Sequence, residues 1–222
     1  MRTTHTGHII AKELGNNIQL RLEDGLWEWL IPSLLVEKST GIKTEPKSVE
    51  DLKNIMKFNL IDTNYKSVHS YKNKMILTFP ETEKQLFQRC GEITLSKLIK
   101  ETEIAKTNTN NNNNNNNDNS MYDSICIVSH APCLQAMAYY LDIDSSLPEE
   151  SKIVKPWPLG GITMFSRIIT TIEDEDNKDK EVVVCCSQWK CEFYGCTNHM
   201  IGEYKNGIKE WSLPCFNTTT YS

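Results

Sequence analysis

From Ile125 to Pro132 the chain reads I-C-I-V-S-H-A-P, and this stretch decides the fold class. Ser124 to Ser129 is a short, continuously apolar run of the kind that forms a strand buried on both faces of a parallel sheet. It leads directly into His130 and then a predicted helix from Pro132 to Leu141, with proline in the first turn, where its missing N–H costs nothing. At such a junction the carboxyl end of a strand opens on the ligand crevice of an α/β sheet, and the helix that follows presents free N–H groups to an anion. His130 is placed either to meet a phosphate there or to cap the helix.

Outward from this junction, helices and strands alternate. Thr3 to Leu14 is predicted as a helix ended by Gly15, and Ile18 to Leu22 as a short strand. Val49 to Met56 is predicted helical, opened by Ser48 with Asp51 three residues on. Glu81 to Lys106 places Leu86, Cys90, Ile93 and Leu98 at helical spacing and is the longest predicted helix. Downstream, the β-branched runs Ile162 to Thr171 and Val182 to Gln188 predict an antiparallel pair. Two stretches contribute no core. Thr107 to Ser120 contains an unbroken Asn run from Asn110 to Asn117, with no apolar side chain to offset its ordering entropy, and is expected to be a disordered loop. The acidic segment Glu173 to Glu181 reads as a solvated turn. The pattern as a whole predicts one α/β domain over residues 1–222.

Composition restricts the function. The chain has 222 residues, 24 Lys+Arg against 29 Asp+Glu and a net charge of -5. Its lysines are scattered among acids, so it lacks the basic stripe that nucleic acid or an anionic membrane surface requires. The longest apolar run, Leu26 to Val36, contains Glu28 and is too short to span a bilayer. With no basic-then-apolar leader at its start, the chain is expected to be cytoplasmic. Its eight cysteines are then expected as reduced thiols, several of them in the core. Cys185, Cys186, Cys191, Cys196 and His199 contain no Cys-x2-Cys knuckle, and no metal site or cofactor is expected. The P-loop, Rossmann, zincin and nucleophile-elbow patterns are absent, as is the Cys-x5-Arg loop of cysteine-dependent phosphatases.

Two further features point to phosphate chemistry. Arginine is scarce, with only Arg2, Arg21, Arg89 and Arg167 in the chain. Arg2 opens the segment R-T-T-H-T-G-H at the start of a predicted helix, where its charge opposes the helix dipole. A guanidinium there makes sense if it forks onto a phosphate, and is otherwise a terminal side chain without a role. The second feature is E-D-G-L-W-E-W, from Glu23 to Trp29. A carboxylate between two tryptophans loses part of its hydration, which suits a general acid, although an amphipathic surface loop would have the same composition.

Taken in order, Arg-x-x-x-Thr-Gly-His, Glu-x-Gly-Leu-aromatic-Glu-Trp, Asp62-Thr63-x-Tyr65 and I-V-S-H-A-P-C-L-Q-A resemble successive blocks of the histidine phosphatase superfamily (phosphoglycerate mutase-like). More closely, they resemble the phosphatase domain of the ubiquitin-associated and SH3 domain-containing (TULA) proteins. The resemblance extends from Arg2 to N-G-I-K-E-W-S-L-P, which ends near Pro214. It implies a three-layer α/β/α phosphoglycerate mutase-like sheet and metal-free phosphomonoester hydrolysis. His130 matches the family's second active-site histidine, Arg2 its second phosphate-binding arginine, and Glu28 its proton donor, with Glu23 the less apt match. In the family's two-step reaction a nucleophilic histidine takes the phosphoryl group while the acid protonates the leaving oxygen, and water then hydrolyses the phosphohistidine.

The family's defining Arg-His-Gly, at the end of an N-terminal central strand, has no counterpart in this sequence. His5 and His8 lie on the helix behind Arg2, and neither His69 nor His199 follows such a strand. The resemblance therefore implies a sheet lacking that strand and a chain that is inactive as given. The alternative is a catalytically dead phosphate-binding or scaffold module in signalling. The implied partners are a phosphorylated protein, phosphotyrosine first, or a small phosphomonoester such as a steroid phosphate. A homodimer is a further expectation that rests on the family alone.

Overall fold

In the computed structural model, residues 124–130 run extended into a helix that begins at Ala131. The structure describes residues 2–15, 18–31, 36–37, 41–42, 48–56, 60–69, 80–110, 124–143, 156–173, 182–200 and 210–211. The chain divides into two compact units, Met1–Ala136 and Met137–Ser222. It is a mixed α/β protein.

In the first unit, helix α1 (Arg2–Leu14) buries Gly7 and Ala11. It ends at Gly15, whose φ of 120° suits a residue without a Cβ. Two two-residue strands, β1 (Val36–Glu37) and β2 (Gly41–Ile42), pair antiparallel. Helix α2 (Val49–Met56) starts on the reciprocal bonds Asp51 N–H to Ser48 Oγ, 3.1 Å, and Ser48 N–H to Asp51 Oδ2, 3.2 Å. The predicted strand over Ile18 to Leu22 is reduced to one parallel bridge, Leu20 to Ile61. Around it Leu52 and Ile61 form a small core with Leu20, Leu22 and Val49.

The longest helical stretch is three contiguous segments: α3 (Glu83–Phe87), a π-helical segment Gln88–Leu95, and α4 (Ser96–Asn110). It begins two residues later than predicted because Thr82, not Glu81, is the cap, in a capping box with Gln85. Helix continues through Thr107 to Asn110, inside the segment expected as loop; the remainder of the Asn run lies outside the described residues.

The run Ser124 to Ser129 corrects an expectation. It is extended, but among the described residues it joins no strand ladder, and Ser124, Ile125 and Cys126 are exposed. Apolar composition signals burial without naming a partner. What this run packs on is a helix: Val128 approaches Gly7 of α1, where a Cβ would lie 3.0 Å from Leu20 Cδ1 and 3.9 Å from Val128. Helix α5 (Ala131–Ile143) follows as predicted.

The second unit holds the strands β3 (Trp157–Pro158), β4 (Ile162–Ser166), β5 (Ile169–Glu173), β6 (Val182–Cys186), β7 (Lys190–Cys196) and β8 (Glu210–Trp211). The expected antiparallel pair is present as β5–β6, in register from Ile169 opposite Cys186 to Glu173 opposite Val182. The first half of the predicted run, β4, pairs instead with β7, and β3 with β8. The β4–β7 register shifts between Ile162 and Phe165, where the Gly195 N–H donates to Thr163 Oγ1 at 2.8 Å. The acidic segment beyond Glu173 lies outside the described residues. No described helix is long and apolar enough to cross a membrane.

Candidate functional site

The segment from Glu23 to Leu30 is short of regular structure, so its polar backbone must find partners among side chains. It makes one 3-10 turn at Asp24–Leu26 and is then held along its length. Arg89, from the π-helical segment, donates through Nη1 to the Gly25 carbonyl at 2.9 Å and to the Trp27 carbonyl at 3.0 Å, and through Nη2 to the Glu28 carbonyl at 3.4 Å. On the other side, Ser129 Oγ donates to the Leu26 carbonyl at 2.6 Å and Cys133 Sγ to the Trp27 carbonyl at 2.8 Å.

Arg89 is itself fixed by Glu81 in a two-pronged pair, Nε to Oε1 and Nη2 to Oε2, both 2.7 Å. These side chains are 1% and 2% exposed. Burial works against the arginine's charge, yet the neighbouring Cys90 and Glu81 hold its proton more tightly than usual. Glu81 also accepts from the Leu30 N–H at 3.2 Å, and its carbonyl takes the Trp29 indole N–H at 3.0 Å. A late helix start leaves Glu81 outside α3 and able to make these contacts. Gly25 lies in the tightest part of the cradle, where a Cβ would overlap Thr94 Oγ1 and come within 2.9 Å of His69 Cβ.

The two carboxylates that the sequence offered as candidate acids meet different surroundings. Glu23 accepts from the N–H groups of Gly25 at 3.0 Å, Val68 at 2.8 Å and His69 at 3.2 Å, from Tyr65 Oη at 2.7 Å and from Ser67 Oγ at 2.5 Å. Burial and the adjacent carboxylate hold the Tyr65 phenol above its ordinary range, so it remains a donor. Such a carboxylate is a structural clamp with no free lone pair for substrate. Glu28 receives the Trp29 N–H on Oε1 at 3.1 Å, and its Oε2 lies 2.5 Å from His130 Nδ1. Both side chains of this pair retain access to solvent, 12% for Glu28 and 16% for His130.

His130 immediately precedes α5, and its carbonyl accepts the first helical bond, from Leu134 N–H at 3.0 Å. With Nδ1 turned to Glu28, the other ring nitrogen makes no hydrogen bond among the described residues and is open to a ligand. Arg2 sits exposed in the first turn of α1, and its guanidinium makes no hydrogen bond or ion pair among the described residues. Its helix meets the junction at Gly7, which faces Val128. The structure thus brings Glu28 and His130 into contact, whereas Arg2 makes no hydrogen bond or ion pair with either.

His69 is 2% exposed, and neither ring nitrogen has a hydrogen-bond partner among the described residues. Burial and then the Arg89 charge push its pKa below the usual histidine value. It is a core residue, closed to any ligand in solvent. Among the described residues no group of three or more His, Cys, Asp and Glu is arranged to hold a metal ion.

The residues that sequence reasoning missed are Arg89, Glu81, Ser129 and Cys133. Arg89 carried a legible signal, since it is a scarce arginine on the same helical stripe as Leu86 and Cys90, where a charge is rarely buried without a partner. No protein-family model, curated protein or solved structure matches this chain.

Proposed function

We propose that the chain is a histidine-phosphatase-type domain that holds a phosphomonoester at the head of α5. His130 is the phosphate ligand and Glu28 the proton donor to the leaving oxygen. The observation that carries this reading is the 2.5 Å contact between Glu28 and His130, drawn from two sequence blocks far apart in the chain. An acid and an imidazole that share a proton and both face solvent are the parts that leaving-group protonation and oxyanion stabilisation call for. The parallel bridge between Leu20 and Ile61 and the extended approach to His130 are the local features in accord with a phosphoglycerate mutase-like α/β arrangement.

Within this reading Arg2 is the further phosphate ligand, reaching the anion from α1. Its exposed guanidinium makes no ion pair among the described residues, and a dianion supplies the attraction. The two-step reaction also needs a nucleophilic histidine, and the sequence holds no Arg-His-Gly. The residues present therefore suit binding without turnover, which is also what a phosphate-binding scaffold in signalling would need. Phosphorylated proteins are the first substrate class and small phosphomonoesters the second.

Titration of the purified chain with inorganic phosphate, followed by calorimetry or phosphorus NMR, tests the site. Saturable binding is expected, weakened by His130→Ala and by Arg2→Ala. Absence of binding would overturn the reading. Hydrolysis of p-nitrophenyl phosphate by the 222-residue chain, abolished by His130→Ala, would overturn the claim that the chain binds without turnover.

A further inference from the structure

Two sulfur atoms lie beneath the Glu23–Leu30 segment with no part in the chemistry above. Cys90, from the π-helical segment, and Cys133, from the first turn of α5, are both 0% exposed. Cys90 Sγ donates to the Gly25 carbonyl at 3.7 Å and Cys133 Sγ to the Trp27 carbonyl at 2.8 Å. Those two carbonyls share one donor, Arg89 Nη1, so the thiols converge on a single point of the loop. Each sulfur is near enough to the other to influence its acidity.

Their acidities diverge. Burial raises Cys90, but the neighbouring Cys133 and the Arg89 charge outweigh it and leave the thiol below its ordinary value. Burial and the neighbouring Cys90 hold Cys133 well above. A thiolate-prone sulfur beside a neutral thiol is the pairing in which one partner is oxidised and the other resolves it.

We propose that Cys90 and Cys133 form a reversible disulfide that couples the redox state of the chain to the loop carrying Glu28. The oxidant is a hydroperoxide. The Cys90 sulfur attacks its O–O bond, giving a sulfenic acid on Cys90 and one water from hydrogen peroxide. The Cys133 thiol then attacks the Cys90 sulfur, a second water leaves, and the S–S bond forms. Two thiols lose two electrons and two protons, and the peroxide takes both. A dithiol such as dithiothreitol reverses the oxidation.

The bond has consequences for the site. To bond, the two sulfurs must close to about 2.0 Å, which draws the first turn of α5 toward the π-helical segment. His130 lies three residues before Cys133 and moves with that turn. Both S–H donors disappear, so the Gly25 and Trp27 carbonyls each lose a donor and keep Arg89. Because both sulfurs are buried, oxidation requires a local opening and is slower than at the exposed Cys126 and Cys186.

Peptide mapping of the full chain after hydrogen peroxide and thiol blocking tests the proposal. A cross-linked species containing Cys90 and Cys133, lighter by two hydrogens and lost on dithiothreitol, is expected. In Cys133→Ser the sulfenic acid on Cys90 persists and is trapped by dimedone. Recovery of Cys90 and Cys133 as free thiols when Cys126 and Cys186 are fully oxidised would overturn the proposal, as would pairing of Cys90 with any other cysteine. The cross-link does not depend on the phosphatase reading; only its coupling to the site does. Inorganic phosphate should bind the oxidised chain more weakly than the reduced one. Equal affinity would sink the coupling, whereas no binding by either form, with the cross-link intact, would sink the phosphatase reading alone.

Discussion

The two ends of one short segment, Glu23 and Glu28, carry the same side chain and have opposite fates. At the first end the carboxylate is saturated by three backbone N–H groups and two hydroxyls. At the second it has one backbone N–H and one imidazole, with part of its surface in solvent. Four residues of chain separate a carboxylate whose lone pairs are taken up by the fold from one that keeps part of its surface in solvent. What makes the second possible is that the chain between them is held by Arg89 and Glu81, so Glu28 need not hold itself.

The largest way to break the contrast is to remove what both ends share. Arg89→Ala strands Glu81 as a buried, uncompensated charge and releases three loop carbonyls. A loss of about 3–5 kcal/mol in denaturant unfolding is expected. Arg89→Lys should recover only part of it, because an ammonium cannot reproduce the two-pronged pair. A loss under about 1 kcal/mol would mean that the loop is held by other contacts.

Attacking the first end alone should cost less. Glu23→Gln keeps the shape but turns an amide NH2 toward donors that need an acceptor, at about 1.5–3 kcal/mol. The same variant should release Tyr65, so that its phenol titrates closer to the ordinary tyrosine value when followed by ultraviolet absorbance. An unmoved Tyr65 would show that Glu23 is not its partner.

These effects also mark what was legible in the sequence. Helix ends could be read because they rest on local chemistry, as at Gly15 and in the Ser48–Asp51 pair. The Thr82–Gln85 box was equally readable, and missing it placed Glu81 inside a helix that it precedes. Glu28 and His130 were legible as motif residues, but nothing in the sequence says that they touch. The Arg89–Glu81 pair escaped because charges on a helix usually mark its solvated face, and only the fold reveals this pair as buried. The ladder partners escaped for a related reason: an apolar run such as Ser124 to Ser129 reads as a buried strand whether or not a ladder partner exists, while Lys190 to Cys196 alternates too weakly to be recognised as the partner of β4.

His69 sharpens the contrast through pH. Its backbone N–H belongs to the Glu23 clamp, and its ring is buried and uncharged. In the unfolded chain the ring takes up a proton near the ordinary value of about 6.5, whereas in the fold it does so only at lower pH. Between those values the unfolded state holds more protons, so stability rises with pH and is lost as pH falls. The slope from one such group is bounded by about 1.4 kcal/mol per pH unit. Denaturation of the protein and of His69→Gln at pH 7 and pH 5 should show the variant losing less on acidification. Equal losses would show that His69 is solvated.

The smallest effect on stability belongs to the second end. Glu28→Gln leaves the Trp29 N–H with an amide oxygen, and its own backbone carbonyl remains with Arg89, so unfolding should shift by no more than about 0.5 kcal/mol. The partner of His130 is nonetheless changed, because an amide cannot share the proton as a carboxylate does. The ring resonances of His130 should then move in proton NMR spectra recorded at one fixed pH, since its carboxylate partner has become an amide. Near-neutral stability together with a moved imidazole would separate this end from the Glu23 end. A stability loss as large as that of Glu23→Gln would instead make Glu28 a second clamp and remove the asymmetry on which the proposed site depends.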